Sequence, residues 1–100
     1  MTYLLKVHRE VEKQLQRIPK KPRTRLVETM RALSAEPRPR GSEKLDDDLY
    51  RIGQGDYRII YAIFEKEVVI VICKVARRAE DTYRDLQALL ARARSLLPED

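Results

Sequence analysis

Six consecutive apolar residues, Val68-Val69-Ile70-Val71-Ile72-Cys73, constrain the fold of this chain more than any other feature. A run of that length predicts a strand, here Glu67–Val75, covered on both faces and therefore central in its sheet. The two segments before it alternate as strands do, Leu49–Gly53 and Tyr57–Phe64, and Glu65-Lys66 makes a plausible turn between the last two. Gln54-Gly55 reads as a two-residue hairpin turn, which Gly at the second central position permits. That turn places Gly53 opposite Asp56, Ile52 opposite Tyr57 and Arg51 opposite Arg58. Like charges opposed on one sheet face are destabilising. An anion bound between them removes the cost, and phosphate suits the planar guanidinium fork. Tyr57 and Tyr61 alternate with Arg58 and Ile60, so they point to the other face and into the core. Tyr50 reads as structural by the same alternation.

The rest of the chain supplies helices. Tyr3–Val7 predicts a short first strand. His8–Ile18 then switches to helical spacing, with Val11, Leu15 and Ile18 on one face. Pro19-Lys20-Lys21-Pro22 breaks it, and Pro22 suits the first turn of a second helix. That helix runs over Arg23–Ala35, with Leu26, Val27, Met30 and Leu33 at helical spacing. Residues 36–42 are a loop by composition. From about Ala79 a last helix carries Leu86, Leu89, Leu90, Ala93 and Leu97 on one side. The order strand, helix, helix, three strands, helix defines an α+β fold. The expectation is a twisted, mainly antiparallel four-stranded sheet with two N-terminal helices and a C-terminal helix. The helices would pack on one face, and Arg51 and Arg58 would lie on the other. One hundred residues make a single domain, 1–100.

Charge points to a partner class. The formal net charge is +5, divided as +7 over residues 1–44 and −2 over residues 45–100. A basic first half suits a polyanion or is a solvated surface. His8 starts a helix without a visible catalytic partner. Cys73, the only cysteine, reads as a small buried hydrophobe, and no Cys/His pair offers a zinc site. No metal and no small-molecule cofactor is expected. There is no signal-peptide core and no run long enough to span a bilayer, so a cytoplasmic protein without a membrane partner is the default.

Read in order, Lys44-Leu45, Leu49-Tyr50-Arg51-Ile52, Gly55-Asp56-Tyr57-Arg58-Ile59-Ile60-Tyr61 and Lys74-Val75-Ala76-Arg77-Arg78 resemble the RelE/ParE superfamily of type II toxin–antitoxin toxins. The resemblance spans nearly the whole chain. Tyr83 after the Arg77-Arg78 pair favours the RelE type, the ribosome-dependent messenger RNA interferases, over the ParE type, which acts on DNA gyrase. It implies an RNA-binding endoribonuclease, a hydrolase that inhibits translation by cutting messenger RNA in the ribosomal A site. It also implies a cognate antitoxin and the ribosome with its message as partners. By resemblance Arg58 matches the arginine that neutralises the scissile phosphate. Arg78 matches the arginine proposed as general acid or transition-state stabiliser. Tyr83 matches the tyrosine that stacks on a base or helps proton transfer, and Arg51 the first of two basic strand positions. Arg77, Lys44 and Lys74 are further candidate RNA contacts. Leu86, Leu90 and Leu97 form a stripe that an antitoxin could cover.

Two positions depart from the family pattern. The second basic strand position is Gly53. A position that is often basic in the family is Asp46, followed by Asp47 and Asp48, and an acidic triplet near an RNA path repels phosphate. Both departures leave two alternatives open: a gyrase inhibitor without nuclease activity, or a degenerate toxin that only binds its antitoxin.

Overall fold

The computed structural model describes residues 2–79 and 85–97. Its elements run β1 Leu4–Val7, α1 Arg9–Gln16, α2 Lys20–Leu33, β2 Ser42–Asp46, β3 Leu49–Gln54, β4 Tyr57–Phe64, β5 Val69–Arg77 and α3 Leu86–Arg94. The strands form one sheet in the order β1-β5-β4-β3-β2. β1 lies parallel to β5, and the other pairs are antiparallel. The α+β architecture is the expected one, with one more strand than the four anticipated. The addition is β2, reading Ser-Glu-Lys-Leu-Asp, which folds back onto β3 through Asp47-Asp48. Aspartate tolerates the positive φ that this turn demands at Asp47.

β5 is an interior strand between β1 and β4, next to the edge rather than at the centre, and it is buried on both faces as its composition requires. Ile70 and Ile72 pack with Val11, Leu26, Met30 and Leu33 beneath α1 and α2. Val69, Val71 and Cys73 pack with Leu89, Leu90 and Ala93 of α3. The helices therefore do not share one face: α3 lies opposite α1 and α2. The physical reason is a second apolar surface, made by Leu49, Ile60, Ala62 and Phe64, which needs its own cover. A Leu, Ile or Phe side chain stabilises the fold by about 1.5–3 kcal/mol when fully buried.

Local signals fix the helix ends. His8 is the N-cap of α1, its Nδ1 accepting from the Glu10 amide at 3.1 Å. Pro22 falls in the first turn of α2, where a missing N–H does no harm. Asp85 caps α3 by accepting from the Ala88 amide at 3.0 Å. The Lys6 ammonium donates to the Leu96 carbonyl at 2.7 Å, tying the end of α3 to β1.

Candidate functional site

The β3–β4 hairpin turns at Gly55-Asp56, one residue later than expected. Gln54 pairs with Tyr57, Gly53 with Arg58, and Arg51 with Ile60. Gly55 has φ +61° while Asp56 stays out of the left-handed region, which is the type II′ pattern with Gly first. Two contacts hold this register. Thr29 on α2 donates to Gln54 Oε1 at 2.9 Å, and Tyr57 packs against the α1/α2 core. Arg51 and Arg58 are consequently not opposed but diagonal on one face, a spacing of about 7–8 Å. Gly53 is the cross-strand partner of one and lies two residues along the strand from the other.

A bulge decides which arginine of β5 joins them. Tyr61 pairs with Ile72 and Ile60 with Lys74, so Cys73 is the extra residue. An extra residue reverses the alternation beyond it. Unbroken pairing from Ile72 would turn Arg77 toward Arg58. With the bulge, Ala76 faces Arg58, and Arg77 falls on the opposite side, its guanidinium 5.7 Å from the centre of the Tyr57 ring. Arg78 then follows onto the Arg58 face, and its amide donates to the Asp56 carbonyl at 2.7 Å. The bulge is held from both layers. Gln14 Oε1 on α1 accepts from the Val75 amide at 2.9 Å, and the Arg92 guanidinium on α3 donates to the Cys73 carbonyl at 3.0 Å.

These features meet in a groove of about 380 Å³ whose cations are Arg51, Arg58 and Arg78, with Gly41, Gly53, Gly55 and Tyr57 completing its walls. The three guanidiniums come from β3, β4 and the end of β5. Arg51 is paired with Glu43 of β2 at 2.5 Å, its own side chain 20% exposed and that of Glu43 64%. The contact is open to solvent from the carboxylate side, which screens it, while the arginine is mostly covered.

Gly41 reaches the groove because its loop is strapped down. Arg38 donates to the Tyr50 hydroxyl at 3.1 Å and pairs with Glu65 at 2.6 Å. Glu65 also accepts from the Tyr3 hydroxyl at 2.6 Å. That bond, then Arg38, holds the Glu65 carboxyl below its usual pKa. Tyr50 stacks on Tyr61, whose hydroxyl donates to the Pro37 carbonyl at 2.7 Å. Burial pushes the Tyr61 phenol up to about 12. Tyr50 and Tyr61 thus brace the loop and the core, while Tyr57 packs on the core and also lines the groove.

The other candidates are placed as follows. Lys74 pairs with Ile60 and lies on the groove side of the sheet, two cross-strand pairs along from Arg58 and Ala76. Arg77 is on the reverse face. Lys44 pairs with Tyr50, away from the groove face. Asp46 ends β2 opposite Leu49, about 13 Å along an extended strand from Gly53, and Asp47-Asp48 make the turn beyond it. Leu90 is buried in the chain's own core, with Leu86 and Leu97 half-buried beside it. Tyr83 lies outside the described residues. Cys73 is buried, and desolvation pushes its thiol up to about 12, so it is chemically inert at neutral pH. Sequence reasoning missed Gly41, Gln14 and Arg92. The signal for the last two was a lysine, Lys74, breaking an apolar strand where a regular ladder would bury it.

Known proteins share this architecture. The family described as the ParE toxin of the type II toxin–antitoxin system parDE matches residues 5–82. RelE1 of Methanocaldococcus jannaschii is 28% identical over 92 residues, covering 85% of this chain and 99% of the relative. RelE in the RelE–RelB complex of Pyrococcus horikoshii superposes with a TM-score of 0.74 at 41% identity, over 80% of this chain and 99% of that one. A free mutant form of the Escherichia coli toxin RelE gives 0.69 at 22% identity, over 95% and 97%, a likeness of fold. These matches define the class, the toxins of type II toxin–antitoxin systems. The chain belongs to the RelE/ParE family of toxins from type II toxin–antitoxin systems. No helix among the described residues is long and apolar enough to cross a membrane.

Proposed function

We propose that this toxin is a ribosome-dependent endoribonuclease that cuts messenger RNA in the ribosomal A site without a metal, using the ribose 2′-hydroxyl as nucleophile. The observation that carries the reading is the convergence of Arg51, Arg58 and Arg78 on one groove. RNA brings its own nucleophile, so the protein has to orient it, take its proton, neutralise the phosphorane and protonate the leaving 5′-oxygen. Arg58 neutralises the scissile phosphate. Arg78 stabilises the transition state or donates the proton, and Arg51 exchanges Glu43 for an RNA phosphate. Preorganised charge of this kind is usually the largest catalytic contribution.

Tyr83 is the candidate base. An unperturbed phenol titrates at about 10, and a guanidinium brought close to any phenol favours the phenolate. Lys74 extends the cationic surface along the groove side, whereas Lys44 and Arg77 are suited to more distant RNA. A cognate antitoxin is the natural controlling partner. With Leu90 already buried, it would cover the Leu86 and Leu97 flanks of α3 or displace the helix. The working compartment is the cytoplasm, where ribosomes are.

The second reading, inhibition of gyrase without chemistry, draws on the ParE description of the matched family and on Gly53 in place of a base. Expression in cells separates the two. Translation arrest with cut messages supports the nuclease. DNA damage with intact messages supports gyrase inhibition. Unimpaired growth with antitoxin binding preserved supports a degenerate toxin.

A further inference from the structure

Consecutive arginines at the end of β5 serve opposite faces of the sheet. Arg78 joins the groove, while Arg77, in the last β5 pair with β4, lies on the reverse face. There it lines a second cleft, of about 260 Å³, together with Gln14, Arg17 and Tyr57. Two of these side chains are set in place by the fold itself. The Arg77 guanidinium lies 5.7 Å from the centre of the Tyr57 ring, a cation–π contact that orients it. Gln14 Oε1 accepts from the Val75 amide, which leaves the side-chain NH2 of Gln14 to donate. Arg17 is the C-cap of α1 and enters the cleft from the helix end. No acidic residue is among the described residues that line the cleft, and neither arginine forms an ion pair with another described residue. Two guanidiniums and an amide donor without a carboxylate make a receptor for an oxyanion.

We propose that this reverse-face cleft is a second phosphate site, which takes a backbone phosphodiester of the message strand after the strand leaves the groove around the end of the sheet. Continuity selects the message as occupant. Tyr57 lines the groove and the cleft alike, so the two surfaces meet at the hairpin end. A third cleft of about 240 Å³ beside the same ring adds Lys21 and Arg25 against one carboxylate, Asp56, and extends the cationic surface away from the groove. Cations gathered in this way repel one another, and a phosphate backbone relieves the repulsion. The cleft holds the strand and takes no part in the chemistry, so it makes affinity depend on RNA length beyond what the groove covers. This second site rests on the groove being the RNA site and specifies how the strand continues beyond it.

The test is binding of 2′-O-methyl RNA, which lacks the attacking hydroxyl, in a short form that fills only the groove and a long form that reaches past it. Affinity is measured over a range of salt for the wild type, for Arg17→Gln/Arg77→Gln and for Arg17→Lys/Arg77→Lys, with melting temperatures to confirm folding. On a single strand each neutralised phosphate contributes about 0.7 to the slope of log affinity against log salt. The wild-type slope is expected to be steeper for the long RNA by about 1.4, one phosphate for each arginine. The glutamine pair is expected to lose that difference and the lysine pair to keep it. Equal wild-type slopes for the two RNAs, or a folded glutamine pair that keeps the difference, overturn the second site and leave the groove reading standing. A glutamine pair that loses ribosome affinity but keeps its slope on long RNA gives the cleft to ribosomal RNA and overturns the message path. A wild type that binds neither RNA more tightly than Arg58→Ala does overturns the groove reading and the second site together.

Discussion

His8 shows how one residue links a cap to a titration. Its Nδ1 accepts the Glu10 amide, which requires the neutral ring. Burial first, then the charges of Arg92 and Arg9, lower its pKa from the ordinary 6.5. The unfolded chain therefore takes up this proton more readily than the folded one. The stabilisation is full above about pH 6.5 and is lost as the pH falls through the unfolded and then the folded value. His8→Asn keeps an N-cap acceptor and removes the titrating ring. It is expected to match the wild-type melting temperature near neutral pH and to lose part of the decline on mild acidification. Identical melting-temperature profiles for the two proteins would contradict this. The exposed Glu65 carboxyl, also held below its usual pKa, contributes in the same direction at lower pH. Arg58 and Arg51 were legible as residues because arginines stand out in strand patterns. Tyr57 and Tyr61 were legible through alternation. Their mutual geometry was not, since Gly55 can occupy either central position of a two-residue turn and each choice gives a different register.

Among the elements, β5 and its bulge matter most for the site. Gln14 and Arg92 satisfy backbone groups of the bulge from opposite layers, and the reversed alternation sends Arg78 to the groove. Gln14→Leu leaves the Val75 amide without this acceptor, a loss of about 1–3 kcal/mol for a buried donor. Denaturant unfolding should show a lower midpoint, and cleavage should fall as Arg78 loses its aim. An unchanged midpoint would mean that the amide finds another partner at no cost. The strands around β5 could be read from apolar pattern, but β2 could not. Leu45 is its one apolar residue, and its pairing with β3 depends on the Asp47-Asp48 turn rather than on burial. The helix at the C-terminus was legible as a helix. Its side of the sheet was not, because that depends on Leu49, Ile60, Ala62 and Phe64 forming a second apolar face once the register is set.

At the scale of the molecule, charge is sorted in space. The acidic triplet Asp46–Asp48 stands at the far end of β3, so the repulsion expected near an RNA path does not reach the groove directly. Three groove arginines that each neutralise one phosphate give a salt dependence of log affinity with a slope of about −2 for a short single-stranded RNA. Ribosome association should have a steeper slope if the basic first half of the chain also touches ribosomal RNA. Equal slopes would confine the electrostatic contact to the groove. The central claim is that the three-arginine groove cuts messages on the ribosome. In vitro translation of a defined message with the purified protein, with 5′ ends mapped by primer extension, tests it most directly, using Arg58→Ala, Arg78→Ala and Tyr83→Phe as comparisons. The predicted result is ribosome-dependent cuts inside codons, reduced about 100- to 1000-fold by either arginine substitution and reduced as well by Tyr83→Phe if that residue is the base. Messages left intact by folded wild-type protein, or cut equally well by the arginine variants, would contradict it.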